Sequence, residues 1–307
     1  MIIAAGLSPA WQQILEVHSL QTGEVNRCQS AKWCASGKVV NVGIALQHLG
    51  SASETLFPAG GYVKSLIASD LKQLNVPFHD LPQQNSTRIC TTILDLSTHQ
   101  TTELVENATS LSKEEVDTFS TEYMRRTSSA KVVVLTGSLP AGTPATIYQD
   151  LIAKTNCPVI LDARGAELEA ALKQAPFLVK PNHEELERTL SRSLSNTEEL
   201  IKGMQELNQR GATWVVISQG KAALWASSAD QVFRFTPPLA EVVNPIGCGD
   251  CLAAGIACGI EKGWAVPEAI RWGMGAAADN LTQLLPGRLS VTNVQSFFEQ
   301  VKMEQIV

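Results

Sequence analysis

The chain has 307 residues, of which 44% are hydrophobic, and its net charge is −6. This length suits one large α/β domain, or a main domain with a small appendage, and the negative charge argues against nucleic acid or an anionic membrane as the main partner. No apolar run reaches the roughly 18 residues of a membrane span, and no signal peptide is evident. Seven cysteines without a disulfide-framework spacing fit a reducing compartment, so we expect a cytoplasmic protein.

The first third of the chain predicts strands of two kinds. Residues 2–7 form a short apolar run that is typical of a buried strand, whereas residues 11–33 alternate loosely and carry polar breaks, which favours exposed strands outside the main sheet. An amphipathic helix is predicted over 39–49. Residues 87–96 and 101–105 are rich in threonine and β-branched side chains, and predict a hairpin that joins the early exposed strands.

From residue 112 onwards the predicted strands and helices alternate strictly. Ser112 and Glu115 have the spacing of a capping box, which predicts a helix to about Thr127. Near-continuous apolar strands separated by helices indicate a parallel sheet covered on both faces. The later strands are predicted at 131–136, 159–162, 177–180 and 214–218, an antiparallel edge pair at 222–226 and 232–235, and helices at 251–262, 267–284 and 291–303.

Polar or glycine-rich residues follow the predicted strands. In parallel sheets, ligands bind beyond the carboxyl ends of the strands, so these residues are expected to converge at one edge together with Gly247 to Asp250. They are Ser8-Pro9, Thr136 to Pro140, Asp162 to Gly165, Lys180 to Asn182 and Ser218 to Gly220.

The stretch from Val243 to Asp250 reads VNPIGCGD and precedes an apolar helix. A glycine-rich turn at a helix start points unpaired N–H groups and the positive end of the helix dipole at one spot, which would stabilise the negative charge of phosphoryl transfer. Asp250 beside that spot could accept a proton from an attacking hydroxyl. The alternative is that Asp250 only caps a core helix and that the glycines only make a tight turn.

Cys248 and Cys251 form a C-x-x-C pair, which can indicate redox chemistry or half of a zinc site. No second pair accompanies them, so zinc is disfavoured and packing of small residues is the favoured role. A thiol at a helix N-terminus can have a depressed pKa, and we formulate the hypothesis that oxidants inactivate the protein through Cys248 or Cys251.

Taken together, the ordered motifs resemble those of the ribokinase-like sugar kinases of the phosphofructokinase B family, in particular its 1-phosphofructokinase and tagatose-6-phosphate kinase branch. The resemblance covers essentially the whole chain. Its motifs are Ser8-Pro9-Ala10, Gly23 to Arg27, Ser36 to Val42, Thr87-Arg88, Thr101 to Glu103, Gly137 to Pro140, Lys180 to Leu186 and Asn244 to Asp250. It implies an α/β fold, a three-layer α/β/α sandwich with a mainly parallel central sheet, in a single domain over 1–307. A small β-sheet lid would be formed by strands from about 11–34 and 86–106.

The resemblance also implies an activity, namely phosphoryl transfer from ATP, with Mg²⁺, to a hydroxyl of a phosphorylated ketose of the fructose 1-phosphate, fructose 6-phosphate or tagatose 6-phosphate type. Asp250 would be the general base, with Gly247, Cys248 and Gly249 forming the anion hole. The substrate-binding residues would be Gln12, Arg27, Gly37, Lys38, Asn41 and Arg88. The nucleotide side would consist of Lys180, Asn182, Ser218, Gly220 and Asn280, and Glu185 would organise the metal through water. A homodimer through the lid is implied as well.

Several positions depart from the family pattern. Gln12 stands where the branch has an acid that binds sugar hydroxyls, Ser36 and Val39 replace glycines, Pro245 replaces threonine and Cys248 replaces alanine. Val39 would add bulk where the backbone approaches the sugar. Because these changes fall mainly on the acceptor side, we interpret the chain as a kinase with a shifted substrate.

Other interpretations remain open. The chain could be a non-catalytic sugar-phosphate or nucleotide-binding regulatory protein, or a kinase of an unphosphorylated sugar or nucleoside. Asn182 and Glu185 also have the spacing of a capping box. Arg88 could be an ordinary surface charge of the lid, and the assignment of Arg27 is weaker still.

Overall fold

The computed structural model describes all residues from 1 to 307. The helices are α1 (Lys38–His48), α2 (Gly61–Gln73), α3 (Lys113–Thr127), α4 (Ile147–Ile152), α5 (Gly165–Leu172), α6 (His183–Leu190), α7 (Thr197–Gln209), α8 (Cys248–Glu261), α9 (Val266–Leu281) and α10 (Val291–Gln300). The strands are β1 (Ile2–Ala5), β2 (Ala10–Val17), β3 (Ser30–Ser36), β4 (Ser53–Ala59), β5 (Phe78–Pro82), β6 (Ile89–Asp95), β7 (Gln100–Val105), β8 (Val132–Thr136), β9 (Val159–Asp162), β10 (Leu178–Val179), β11 (Trp214–Ile217), β12 (Leu224–Ser227), β13 (Val232–Thr236) and β14 (Lys302–Gln305).

The central sheet has ten strands in the order β14-β13-β12-β11-β10-β9-β8-β1-β4-β5. The strands from β11 to β5 are mutually parallel, whereas β12, β13 and β14 add antiparallel at the other edge. Helices cover both faces, because successive strand residues point to opposite sides and both sides are apolar. Ile2 and Ala4 belong to one hydrophobic core, and Ile3 and Ala5 to the other. The predicted three-layer α/β/α architecture is confirmed.

Helix α8 is placed by close backbone packing. Its residues from Asp250 to Gly259 are all buried. A Cβ atom on Gly255 would lie 2.5 Å from the Cα of Gly273 in α9, so the two helices approach more closely than any larger residue would permit. This packing fixes the N-terminus of α8 at the carboxyl edge of the sheet.

The small sheet has four strands in the order β3-β2-β6-β7. The predicted hairpin β6–β7 joins the early strands by parallel pairing of β6 with β2, as expected. Strand β3 ends at Ser36, directly before α1, so the small sheet connects straight to the sheet edge where α1 begins.

At the sheet edges one strand was missed and two predictions are wrong. Strand β5 was not predicted, and it pairs with β4 at one edge. The pair β12–β13 does not form the other edge, since β14 pairs with β13, and the first two residues of β14, Lys302 and Met303, were assigned to a helix. Strand β14 reads KMEQ and all four of its residues are exposed, so its structure depends on a distant partner rather than on local periodicity.

No helix combines the length and apolarity that crossing a membrane requires.

Candidate active site

A cavity of about 1200 Å³ lies between the carboxyl ends of the central strands and the small sheet. All the predicted site residues line it except Arg27 and Asn280. The lining members of that set are Gln12, Gly37, Lys38, Asn41, Arg88, Lys180, Asn182, Glu185, Ser218, Gly220 and Gly247 to Asp250. The strand ends therefore converge as the parallel sheet predicted.

The glycine turn starts α8 at the cavity wall. Gly247 is the N-cap residue and has a φ of 86°, a left-handed conformation that favours glycine. The helical hydrogen-bond ladder begins where the Cys251 N–H donates to the Gly247 carbonyl at 2.8 Å, and the N–H groups of Gly249 and Asp250 precede it. A Cβ atom on Gly249 would lie 3.3 Å from Lys180 Nζ, so the ammonium group stands directly beside this turn. The turn can therefore hold an anion.

Asp250 is 5% exposed and lies in the first turn of α8. Burial raises the pKa of this carboxyl to about 6, although the Lys38 ammonium opposes the rise. Asn41 in α1 donates its amide Nδ2 to Asp250 Oδ2 at 2.7 Å, which also favours the ionised form. A carboxylate with a pKa near neutrality can accept a proton efficiently.

Asp162 lies at a strand end that was expected to converge here, but no individual role was predicted for it. It ends β9, is 2% exposed, and lies 3.2 Å from Lys38 Nζ and 3.5 Å from Lys180 Nζ. Burial opposes its ionisation, but the two lysines lower its pKa below the ordinary value. The signal for it was present, since an acid directly follows the apolar run of β9 at the ligand-binding edge. Asp162 fixes both ammonium groups at the cavity wall.

Of the three cations predicted to bind a sugar phosphate, Lys38 and Arg88 line the cavity and Arg27 does not. Lys38 has a side chain that is 42% exposed; burial opposes its charge, but neighbouring carboxylates, Asp162 foremost, raise its pKa to about 12. Arg88 lines the cavity and donates to the backbone carbonyls of Ser8 at 3.1 Å and Glu106 at 3.2 Å. Arg27 is exposed in the loop between β2 and β3 and does not reach the cavity of its own chain.

Asn280 is not a cavity residue, contrary to its assignment near adenine. Its side chain is wholly buried in α9. Nδ2 donates to the Ile246 carbonyl at 2.8 Å, and Oδ1 accepts from the Gly287 N–H at 2.8 Å. Asn280 thus supports the glycine turn from behind.

Two of the substituted motif positions differ in what they touch. Val39 is 1% exposed and belongs to the hydrophobic core, so the expected bulk against the sugar is absent. Gln12 lines the cavity, and its Nε2–H donates to Thr92 Oγ1 at 2.8 Å.

Glu103 of β7 also lines the cavity. Burial raises the pKa of its carboxyl, and the nearby Arg88 opposes that rise. Glu103 is a second cavity residue for which the sequence predicted no individual role.

Asn182 and Glu185 form the capping box of α6. Asn182 Oδ1 accepts from the Glu185 N–H at 2.8 Å, and Glu185 Oε2 accepts from the Asn182 N–H at 2.9 Å. Both residues also line the cavity. No group of three or more His, Cys, Asp or Glu side chains could hold a metal ion unaided. The donor set nevertheless fits Mg²⁺, which keeps several water ligands and needs only one or two protein carboxylates together with substrate phosphates.

The two thiols of the C-x-x-C pair are protonated. Burial raises the pKa of Cys248 to about 11, and raises the pKa of the wholly buried Cys251 well above its ordinary value. Each sulfur lies 3.3 Å from the Asn280 amide. Because the thiolate is the reactive form, this burial removes the physical basis for the expected oxidative inactivation.

Comparison with known proteins gives consistent results. The pfkB family carbohydrate kinase profile matches residues 9–290 of the chain. The structure of phosphofructokinase-2 from Escherichia coli in complex with substrates and products is 25% identical, with a TM-score of 0.89 over 96% of this chain and 98% of that chain. A protein described as possible 1-phosphofructokinase from Thermotoga maritima is 19% identical, with a TM-score of 0.92 over 100% of both chains. The predicted ribokinase-like fold is confirmed.

Proposed function

The chain belongs to the pfkB family of carbohydrate kinases, and on that premise we propose that it transfers the γ-phosphoryl group of ATP, with Mg²⁺, to a hydroxyl of a phosphorylated ketose. The acceptor would be of the fructose 1-phosphate, fructose 6-phosphate or tagatose 6-phosphate type. One observation carries the proposal, namely that Asp250 is a buried carboxylate with a pKa raised to about 6, held beside an anion-binding helix turn.

Asp250 would act as the general base. Asn41 holds Oδ2 at 2.7 Å, which leaves Oδ1 to take the proton of the acceptor hydroxyl as its oxygen attacks phosphorus. A base of pKa about 6 is mainly ionised at neutral pH and still accepts a proton more readily than an ordinary aspartate.

The glycine turn would stabilise the charge that develops on the transferred group. The unpaired N–H groups of Gly249 and Asp250 and the dipole of α8 act at the same point as Lys180 Nζ. Ser218 and Gly220 lie at the adjoining strand end and would line the nucleotide phosphates. Because Asp162 fixes the lysine, this arrangement needs little reorganisation during the reaction.

Glu185 and Asn182 would hold Mg²⁺ through water at the same edge. Only Oε2 of Glu185 is used by the capping box, so the carboxylate retains the capacity to bind a hydrated ion. When bound, the ion supplies charge neutralisation for the nucleotide phosphates.

Lys38 and Arg88 would bind the phosphate that the ketose already carries. Arginine can hold a phosphate with two donors, and lysine adds a point charge. Gln12, Gly37 and Asn41 would position the sugar. We further propose that the chain acts as one domain in which the small sheet closes as a lid and excludes water from the reaction.

A second candidate is a kinase of an unphosphorylated sugar or nucleoside. The favouring observation is that Arg88 already donates to the carbonyls of Ser8 and Glu106, while the Glu103 carboxyl faces the same cavity. A carboxylate beside Arg88 weakens the attraction of this arginine for a phosphorylated acceptor.

A homodimer through the small sheet is proposed as well. Two large apolar side chains, Trp33 at 45% and Leu104 at 59% exposure, lie in one register row on the face of this sheet opposite to the cavity. Exposed aromatic side chains are enriched at protein interfaces, which supports this face as the contact surface.

The test is ADP release with Mg²⁺-ATP against a panel of ketose phosphates and their free sugars, beside Asp250→Asn as the control. Turnover that requires a phosphorylated acceptor and collapses in the control would support the proposal. Turnover with the free sugars alone would favour the second candidate. Binding of ATP or a sugar phosphate without any turnover would identify a regulatory binding protein instead.

A further inference from the structure

Ser36 is connected to Asp250 through one intermediate side chain. Ser36 ends β3 and is 2% exposed, and its Oγ lies 3.0 Å from Asn41 Oδ1. Asn41 Nδ2 lies 2.7 Å from Asp250 Oδ2. These three side chains come from β3, α1 and α8 and form one buried chain of hydrogen bonds.

The direction of each hydrogen bond between Ser36, Asn41 and Asp250 is fixed by the chemistry of the groups. An ionised carboxylate can only accept, so the NH₂ group of Asn41 must face Asp250. The amide oxygen of Asn41 then faces Ser36, and the hydroxyl of Ser36 must donate to it. Each bond polarises the next, so the hydroxyl strengthens the bond that Asp250 receives.

We propose that Ser36 is a positioning residue that holds the Asn41 amide so that it donates to Asp250 and keeps that carboxylate ionised beneath the acceptor hydroxyl. The proposal rests on the proposed role of Asp250 as the base. The resembling kinases have a glycine at this motif position, which has no hydroxyl, so the contact is a feature of this chain.

The other charged groups around Asp250 do not depend on Ser36. Lys38 in α1 and Lys180 after β10 favour the ionised form, and Asp162 at the end of β9 opposes it. The Cys248 thiol, two residues before Asp250 in α8, stays protonated because burial raises its pKa to about 11. All of these groups stay in place when Ser36 is changed, so a change in the titration of Asp250 reports on the hydroxyl.

The experiment is a ¹³C NMR titration of the aspartate carboxyl carbons in the whole protein, with the Asp250 signal assigned by its loss in Asp250→Asn. Ser36→Ala removes a hydrogen bond that supports the ionised form, and should raise the midpoint of Asp250 by about half a pKa unit. Ser36→Thr retains the hydroxyl and should restore most of the shift. Ser53→Ala is the matched control, because Ser53 Oγ is buried at the start of β4 and has no hydrogen-bond partner. The midpoint of Asp250 in this variant should equal that in the wild type.

A double variant separates positioning from a general effect on the site. Asn41→Ala should raise the Asp250 midpoint on its own, and adding Ser36→Ala to it should change nothing further, because Ser36 acts only through the Asn41 amide. An unchanged midpoint in a normally folded Ser36→Ala, or a shift of equal size with and without Asn41, would overturn the proposal. If Ser36→Ala does not fold, Ser36→Gly answers the same question.

Kinetics provide the second readout. With the acceptor found in the ADP-release panel, kcat/KM of Ser36→Ala should fall by about threefold below pH 6 and remain near the wild-type value at pH 8, since half a pKa unit changes only the ionised fraction at low pH. Because the NMR titration needs no turnover, it decides the role of Ser36 even if no acceptor is phosphorylated. Absence of turnover would count against the proposed function alone.

Discussion

Asp250→Asn should abolish phosphoryl transfer and at the same time stabilise the protein. Burial raises the pKa of this carboxyl from 3.8 to about 6, a difference of about 2 pKa units. Each unit corresponds to about 1.4 kcal/mol, so the ionised carboxylate lowers the free energy of unfolding by up to ~3 kcal/mol at neutral pH. Asparagine has nearly the same shape and stays neutral at every pH, which removes this cost.

The pH dependence follows from the sign of the shift. The folded protein binds the proton more tightly than the unfolded chain, so this contribution to stability is fully present below pH 3.8 and is lost as the pH rises through 6. The advantage of Asp250→Asn should therefore grow from about 1.5 kcal/mol at pH 5 to about 3 kcal/mol at pH 8. For a chain of this size, 3 kcal/mol corresponds to a rise in Tm of about 4 to 5 °C.

The assay is urea unfolding followed by circular dichroism at pH 5 and pH 8, with Asp279→Asn as the matched control. Asp279 is also wholly buried, but its carboxylate accepts hydrogen bonds from the Ser290 N–H at 2.6 Å and from Asn293 Nδ2 at 3.0 Å. Replacing it should destabilise the protein, because two charge-assisted bonds are weakened. A loss of stability in Asp250→Asn, or a gain of equal size at both pH values, would refute the account of Asp250 as a buried, pKa-shifted base.

Three further predictions follow from the same structure. Arg88→Ala should raise KM for a phosphorylated ketose by about tenfold or more, with a far smaller change for a free sugar, because it removes a charge-assisted phosphate contact; Arg27→Ala is the control and should leave KM unchanged in a monomeric sample, since Arg27 does not reach the cavity of its own chain. Trp33→Glu should shift the mass measured by light scattering from dimer to monomer, and an unchanged mass would exclude this surface as the interface. Peroxide should leave activity within about twofold of the untreated enzyme, since Cys248 and Cys251 are protonated at neutral pH; inactivation that disappears in Cys248→Ala would contradict this.

The sequence predicted the fold where local pattern and long-range pairing agree. The apolar runs of β8, β9 and β11 are buried on both faces, so composition alone identifies them. Strands β5 and β14 lie at the two sheet edges, where only one neighbour is present and half-exposed or polar residues suffice. Their structure is decided by a partner far away in the chain, which local periodicity does not report.

The site was likewise predicted at the level of backbone segments rather than of individual side chains. Motif position predicted which backbone segments meet at the cavity, because parallel strands bring their carboxyl ends together. It did not predict side-chain direction. Val39 directly follows the cavity residue Lys38 but packs in the core, and Asn280 is buried in α9 behind the glycine turn. Asp162 lines the cavity at a strand end that was expected to converge there, although no individual role was predicted for it.

The departures from the family pattern separate into two groups once side-chain direction is known. Val39 is packed in the core and cannot select an acceptor through contact. Gln12 and Ser36 both line the cavity. Both are uncharged: Gln12 stands where the family has an acid, and Ser36 stands where the family has a glycine. Gln12 is already tied to Thr92, and Ser36 to Asn41, so each presents a fixed hydrogen-bonding direction rather than a mobile charge. Asp162, Glu185 and Asp250 are already buried at this edge, so the absence of a further carboxylate at position 12 limits repulsion around the proposed base. We expect the fixed hydrogen bonds of Gln12 and Ser36 to contribute to acceptor preference alongside the phosphate contact proposed for Arg88.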